Sequence, residues 1–130
     1  EYILRLMHQG RLQVGYSAEQ RFTYHDPCEL GRGCGIYSAP RNVIESVATL
    51  REAAQHSEQG LCCGASLANT VIETPQVYKI ATDAAAQFES TGAEMLVTAC
   101  PLCKKSFAKV SHIPVKDLSE LVSESIKADI

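Results

Sequence analysis

The sequence is poor in several things, and each shortage removes a class of function. Its 130 residues hold no run of about 18 consecutive apolar residues, so no membrane-spanning helix is expected. Lys and Arg number 12 against 15 Asp and Glu, form no long run and leave a formal net charge of −3. A nucleic-acid backbone would find no basic footprint on such a chain. The opening residues Glu1-Tyr2-Ile3-Leu4-Arg5 mix charges and lack the basic-then-apolar order of a secretory signal. Neither an internal repeat nor a low-complexity segment is present, and there is no initial Met. The chain is therefore expected to be a piece of a longer polypeptide. With 45% hydrophobic residues it can bury one ordinary core, as a single domain over residues 1–130.

Cysteine is what the chain does hold. Six stand as Cys28, Cys34, the vicinal pair Cys62-Cys63, and Cys100-Pro101-Leu102-Cys103; without Cys34 they read C-x33-C-C-G-x35-C-x2-C. Three disulfides would allow about 15 connectivities, but a core of this size needs no such staples and nothing points to secretion. Cys62 and Cys63 also lie about 3.8 Å apart at Cα, below the usual range for a mutual disulfide. A reducing cytoplasm suits the composition better. Thiolates are soft ligands for iron–sulfur centres or zinc, and five sulfurs exceed the four of a tetrahedral zinc site. The set leans toward a multi-iron centre. Two alternatives stay open: a structural zinc domain using four of the five cysteines, and a thiol–disulfide protein working through Cys100 and Cys103.

Periodicity supplies a scaffold. Ile3, Leu4 and Met7 share a helical face that Gly10 ends. Residues 20–25 alternate with aromatic and β-branched side chains and read as a strand that Pro27 stops. The glycine-rich segment from Leu30 to Gly35 reads as a loop. Pro40 suits a helix start, and Val43, Ile44, Val47 and Leu50 carry helical spacing, which predicts a helix ending near 47–50 and a weak strand over 50–55. Gly60 to Gly64 forms the loop of the cysteine pair. Thr74-Pro75 opens a helix through Glu89, with Val77, Ile80, Ala81, Ala84 and Phe88 inward and Thr91-Gly92 closing it. Glu94 to Thr98 reads as a buried parallel strand, Pro101 starts a helix to about Val110, and 113–116 form a short strand. Asp117 or Ser119 caps a last helix with Leu118, Leu121, Val122 and Ile126 inward. Such alternation predicts an α/β fold: an open, mainly parallel sheet of about four strands with flanking helices, in Rossmann-like layers. Ligands of such sheets sit beyond the carboxyl ends of the strands, where Cys28, the vicinal pair and Cys100 would then converge.

At the start of its helix, Cys100-x-x-Cys103 meets unpaired N–H groups and a positive dipole end that favour thiolate. Gly64 allows a tight turn beside the pair. His25 is expected to hydrogen-bond at the strand end rather than to ligate, and Asp26 to cap the loop through local backbone bonds. His8, His56 and His112 sit in polar surroundings and are expected to take no ligand role. Lys104 and Lys105 are expected to be solvated, although both could dock an anionic partner. Arg32, in Gly31-Arg32-Gly33-Cys34-Gly35, is the candidate for contact with a bound partner, and Cys34 reads as a free loop thiol.

Tyr24-His25-Asp26-Pro27-Cys28, Cys62-Cys63-Gly64 and Ala99-Cys100-Pro101-Leu102-Cys103 together resemble the CCG, or cysteine-rich, domain. That domain occurs in heterodisulfide reductase and in the iron–sulfur subunits of glycolate oxidase and lactate-utilisation systems. The likeness extends over nearly the whole chain, Pro40-Arg41 included. It implies that Cys28, Cys62, Cys63, Cys100 and Cys103 ligate one [4Fe-4S] cluster, noncubane in the heterodisulfide reductases, and in some members zinc. It further implies an electron-transfer domain of a cytoplasmic oxidoreductase that does not turn over a substrate alone. Its partners would be other subunits, including a ferredoxin-like electron donor or acceptor, and contact with a membrane would come only through them. Family members typically carry two such motifs behind a ferredoxin-like segment, so this chain would be the C-terminal motif of such a subunit. It departs from many relatives after C-C-G, with Ala65-Ser66-Leu67-Ala68-Asn69 where they have further glycines, and in holding Cys34.

Overall fold

The computed structural model describes residues 1–65 and 74–127. The family departure at 66–69 therefore lies outside the described residues. Helix α1 (Tyr2–His8) precedes strand β1 (Ser17–His25), and α2 (Ser38–Glu45) leads into β2 (Ala48–Leu50). Then come α3 (Thr74–Glu89), β3 (Met95–Thr98), α4 (Pro101–Ala108), β4 (Val115–Asp117) and α5 (Leu118–Ser125). Helix α3 ends where Gly92 adopts a φ of +74°, a left-handed turn that glycine makes without strain. Pro101 lies at the start of α4. Asp117 caps α5 in a reciprocal box with Glu120, its carboxylate accepting from the Ser119 N–H at 3.0 Å.

All four strands are parallel, in the order β2-β1-β3-β4. The chain runs from β1 outward to β2, then crosses back to β3 on the other side of β1. Right-handed crossovers then require α2 and α3 to lie on opposite faces of the sheet, and the packing agrees. Phe22, Tyr24 and Val97 meet Ile44, Val47 and Leu121 on the face of α2 and α5. Leu96 meets Ala84, Ala85 and Phe88 of α3 and Phe107 of α4 on the other. Strand alternation separates neighbours: Tyr24 faces one layer, while the His25 ring stacks edge-on against Phe107 (4.7 Å) and Phe88 (5.8 Å) in the other.

Two local expectations need correction. The second strand occupies Ala48–Leu50, not 50–55, because α2 already ends at Glu45. The N–H of Val47 closes onto the Ile44 carbonyl at 2.9 Å, and Val47 enters the core from the turn rather than from the helix. The glycine-rich segment after Cys28 is not an open loop but a π-helical turn, Glu29–Gly33, in which the Gly33 N–H reaches the Cys28 carbonyl at 2.9 Å. Among the described residues no helix is long and apolar enough to cross a membrane.

Candidate metal centre

Strand order places the site. Residues His25 and Thr98 are register partners at the carboxyl ends of β1 and β3, where the direction of winding reverses. The crevice outside such a reversal is where open parallel sheets bind ligands. Cys28 follows β1 by three residues and Cys100 follows β3 by two, so both leave the sheet at this crevice. Cys100 is the N-cap of α4, and Cys103 sits in its first turn. The vicinal pair arrives on the segment after β2, which carries one 3-10 turn, Ser57–Gln59.

Cys63 and Cys103 are buried in the α3/α4 core, and Cys100 packs against it. Cys28 and Cys62 are half-buried, Cys34 is exposed, and all six thiols are free. The thiol of Cys63 touches both Cys62 and Cys103. Contact with Cys63, then burial, pushes the Cys62 thiol far above its ordinary range. Contact with Cys103, then burial, pushes Cys63 up to about 11, with Cys62 opposing. Crowded thiols resist a second negative charge nearby, and a bound cation inverts that preference. The Gly64 N–H points at Cys62 Sγ (3.3 Å) and the Ala65 N–H at Cys63 Sγ (3.4 Å), donors that favour thiolate. Gly64 itself has a φ of +84°, and a Cβ there would stand 2.9 Å from the Val77 carbonyl oxygen. Among the described residues no three or more His, Cys, Asp or Glu side chains are grouped so that they could hold a metal ion. The fold supplies soft sulfur donors with Cys63 set against Cys62 and Cys103 and with N–H groups aimed at two of them, a donor chemistry that fits a thiophilic metal or cluster.

His25 is 1% exposed and spans two cysteine segments. Its Nε2 lies 2.9 Å from the Leu61 carbonyl and its Nδ1 3.0 Å from Thr98 Oγ1. A carbonyl only accepts, so Nε2 carries the proton and Nδ1 accepts from the Thr98 hydroxyl. Burial holds the ring neutral, with a pKa of about 4. The expectation that His25 hydrogen-bonds at the strand end agrees with this geometry. Asp26 differs from its expected local role. Its carboxylate takes two hydrogen bonds from Arg41, at 2.7 and 2.8 Å, and one from the distant Ser57 N–H at 2.7 Å. Arg32 differs too: it donates to the Gly60 carbonyl at 2.8 Å, an intramolecular use of the side chain expected to meet a partner. Lys104 pairs with Glu120, His56 with Glu52 and His112 with Glu89, while Lys105 is exposed.

Ser106 is a site residue that sequence reasoning misses. Its hydroxyl donates to the Cys63 carbonyl at 2.6 Å, and its spacing of three from Cys103 on one helical face is the available signal. Thr98 and Arg41 likewise look in the sequence like ordinary strand and helix residues. Each proves to tie the site together.

The model of the CCG cysteine-rich domain family matches residues 22–108. A "Probable membrane-anchored ferredoxin" of Chromohalobacter salexigens is 32% identical over 96% of this chain and 20% of its own length. A subunit of the dihydromethanophenazine:CoB–CoM heterodisulfide reductase of Methanosarcina mazei is 32% identical over 97% of the chain and 32% of its own. The "Probable iron-sulfur-binding oxidoreductase FadF" of Bacillus subtilis is 27% identical over 97% and 19%. The chain thus spans only about a fifth to a third of these relatives. No solved structure matches it. With the family model matching from the second half of β1 through α4, a range that takes in all five motif cysteines, the chain belongs to the CCG cysteine-rich domain family.

Proposed function

We propose that this chain is an iron–sulfur electron-transfer unit, one cysteine-rich module of a longer oxidoreductase subunit. Cys28, Cys62, Cys63, Cys100 and Cys103 would hold a [4Fe-4S] cluster, which supplies a reversible one-electron store. The observation that carries this reading is the Cys63 thiol set against both Cys62 and Cys103 beside the reversal point of the sheet. Relatives named as a ferredoxin, an iron–sulfur-binding oxidoreductase and a heterodisulfide reductase subunit support the same class.

The chain's own residues have distinct parts in this reading. The five thiolates bind. The N–H groups of Gly64 and Ala65 draw charge from two of the sulfurs, which favours the reduced form and raises the potential. Phe88, Phe107 and Leu96 close the inner side against water. The partly exposed Cys28 and Cys62 mark the outer side, where a partner subunit or ferredoxin-like protein would approach to exchange electrons. The module acts in the cytoplasm and has no substrate turnover by itself.

Anaerobic purification or reconstitution tests this proposal, followed by iron and acid-labile sulfide analysis and visible and electron paramagnetic resonance spectra of one sample. The expected result is a brown protein with comparable iron and sulfide and a thiolate-to-iron charge-transfer band. A colourless protein that holds one zinc, takes up no iron after reconstitution and unfolds on chelation would replace the cluster with a structural zinc site.

A further inference from the structure

The segment bearing Cys62 and Cys63 has little regular structure to place it, so its position depends on what its backbone groups bind. Three of its carbonyls are bound by side chains from elsewhere. Gly60 accepts from Arg32 (2.8 Å), Leu61 from His25 Nε2 (2.9 Å) and Cys63 from Ser106 (2.6 Å). These donors are spread in a telling way. Arg32 lies four residues after Cys28 and His25 three before it, while Ser106 lies three after Cys103. Each strut therefore joins the vicinal pair to a segment that carries another cysteine.

We propose that His25, Arg32 and Ser106 are positioning residues that fix the vicinal pair relative to Cys28 and Cys103, and so set the affinity and electronic character of the metal group those thiols take up. This rests on the metal-binding reading above. His25 is the strut with least freedom. Its ring is wedged edge-on against Phe88 and Phe107, its Nδ1 is occupied by Thr98, and it has one hydrogen to give, which goes to Leu61. Ser106 acts along α4: a rigid helix that carries Cys103 also grips the Cys63 carbonyl, so the two touching thiols keep one relative placement. Arg32 closes the third side by joining the π-helical turn after Cys28 to the backbone just before the pair. Partners that orient ligands in this way are worth about 10–100-fold in metal affinity.

Cobalt(II) is a suitable probe, because its thiolate charge-transfer and d–d bands report the number and arrangement of sulfur ligands. Anaerobic titration of reduced wild type is compared with Ser106→Ala, Arg32→Ala, His25→Phe and His25→Gln, with circular dichroism to check folding. Ser106→Ala and Arg32→Ala should each bind cobalt at least about tenfold more weakly, with altered d–d bands. His25→Phe should lose more, whereas His25→Gln, whose amide N–H can reach the Leu61 carbonyl, should recover most of the loss. Purely structural struts would lower stability and leave the bands alone. Folded variants with wild-type affinity and spectra overturn the proposal while leaving the metal site standing. Should His25→Phe not fold, the Ser106 and Arg32 variants decide. A wild type with no cobalt–thiolate band overturns both readings; cobalt bands without iron–sulfur assembly remove only the cluster. Nitrogen-15 spectra of the His25 ring give a metal-independent check: protonation at Nδ1 rather than Nε2 removes that strut.

Discussion

The two faces of the sheet are built from different materials. On the α2/α5 face, Phe22, Tyr24, Ile44, Val47, Val97 and Leu121 form a core in which buried apolar area does most of the work. On the α3/α4 face, alanines at 53, 84 and 85 leave space that two thiols and three rings fill: Cys63, Cys103, His25, Phe88 and Phe107. Its polar groups are tied across the chain, His25 to Leu61 and Ser106 to Cys63, over 36 and 43 residues. The first face stabilises the fold. On the second, the side chains that would serve the proposed metal centre also fill the core, so a substitution there should disturb both at once.

Phe107→Ala should show this most strongly. The ring is fully buried and touches both His25 and Phe88, so its loss should destabilise by about 3–5 kcal/mol, as large aromatic truncations in cores do. Urea denaturation measures the loss, and cobalt titration of the folded fraction should show weaker binding, because the His25 ring loses its wall. Intact metal affinity in a folded Phe107→Ala protein would break the contrast between the faces.

Acid should act on the same face. Burial holds His25 near a pKa of about 4, with the Leu61 bond and Asp26 opposing and Arg32 adding to the depression. In the unfolded chain the ring titrates near ~6.5. Above that value neither state is protonated. As pH falls from about 6.5 toward 4, the unfolded state alone gains the proton, and stability drops by about 1.4 kcal/mol per unit, or about 3 kcal/mol over the window. Urea midpoints at several pH values should follow this slope in wild type and lose most of it in His25→Gln. Equal slopes in both would show that His25 is not the group responsible.

What the chain announces in advance follows the same division between local and distant causes. Helices α3, α4 and α5 start at Thr74-Pro75, Pro101 and Asp117, each a residue whose preference for that place is intrinsic. The Met95-Leu96-Val97 run likewise marks β3. The place of strand β2 is hidden because Val43, Ile44 and Val47 keep a helical spacing although the helix has already ended. The five motif cysteines are legible from their spacing, and the alternation of elements carries Cys28 and Cys100 to one edge. The struts are not legible. A carbonyl is present at every residue, so a hydrogen bond to Gly60, Leu61 or Cys63 leaves no trace in residue type. The partners of Asp26 are hidden for a related reason: Arg41 and Ser57 are 15 and 31 residues away.

Ile44→Val supplies the smaller half of the comparison. Ile44 is fully buried in the α2/α5 core, on the opposite face of the sheet from Cys63, Cys103 and Phe107. Removing one methylene should cost about 0.5–1.5 kcal/mol. Cobalt affinity and spectra should stay at wild-type values, measured alongside the urea midpoint. A change in the cobalt bands would mean that the sheet transmits strain from one face to the other.

Cys34→Ser should do least. Cys34 ends the π-helical turn after Cys28, is exposed, and its N–H is held by the Gly31 carbonyl whatever the side chain. An exposed side chain with no packing to lose is worth less than about 0.5 kcal/mol, so the denaturation midpoint should not move. Its value lies in the count of ligands. The turn places a sixth, exposed thiol six residues after Cys28, its backbone held by bonds from Gly33 to Cys28 and from Gly31 to Pro27. Cobalt bands of unchanged position and intensity in Cys34→Ser, beside loss of intensity in Cys28→Ser, would assign the first loop's contribution to Cys28 alone. The opposite pattern would mean that metal binding recruits Cys34.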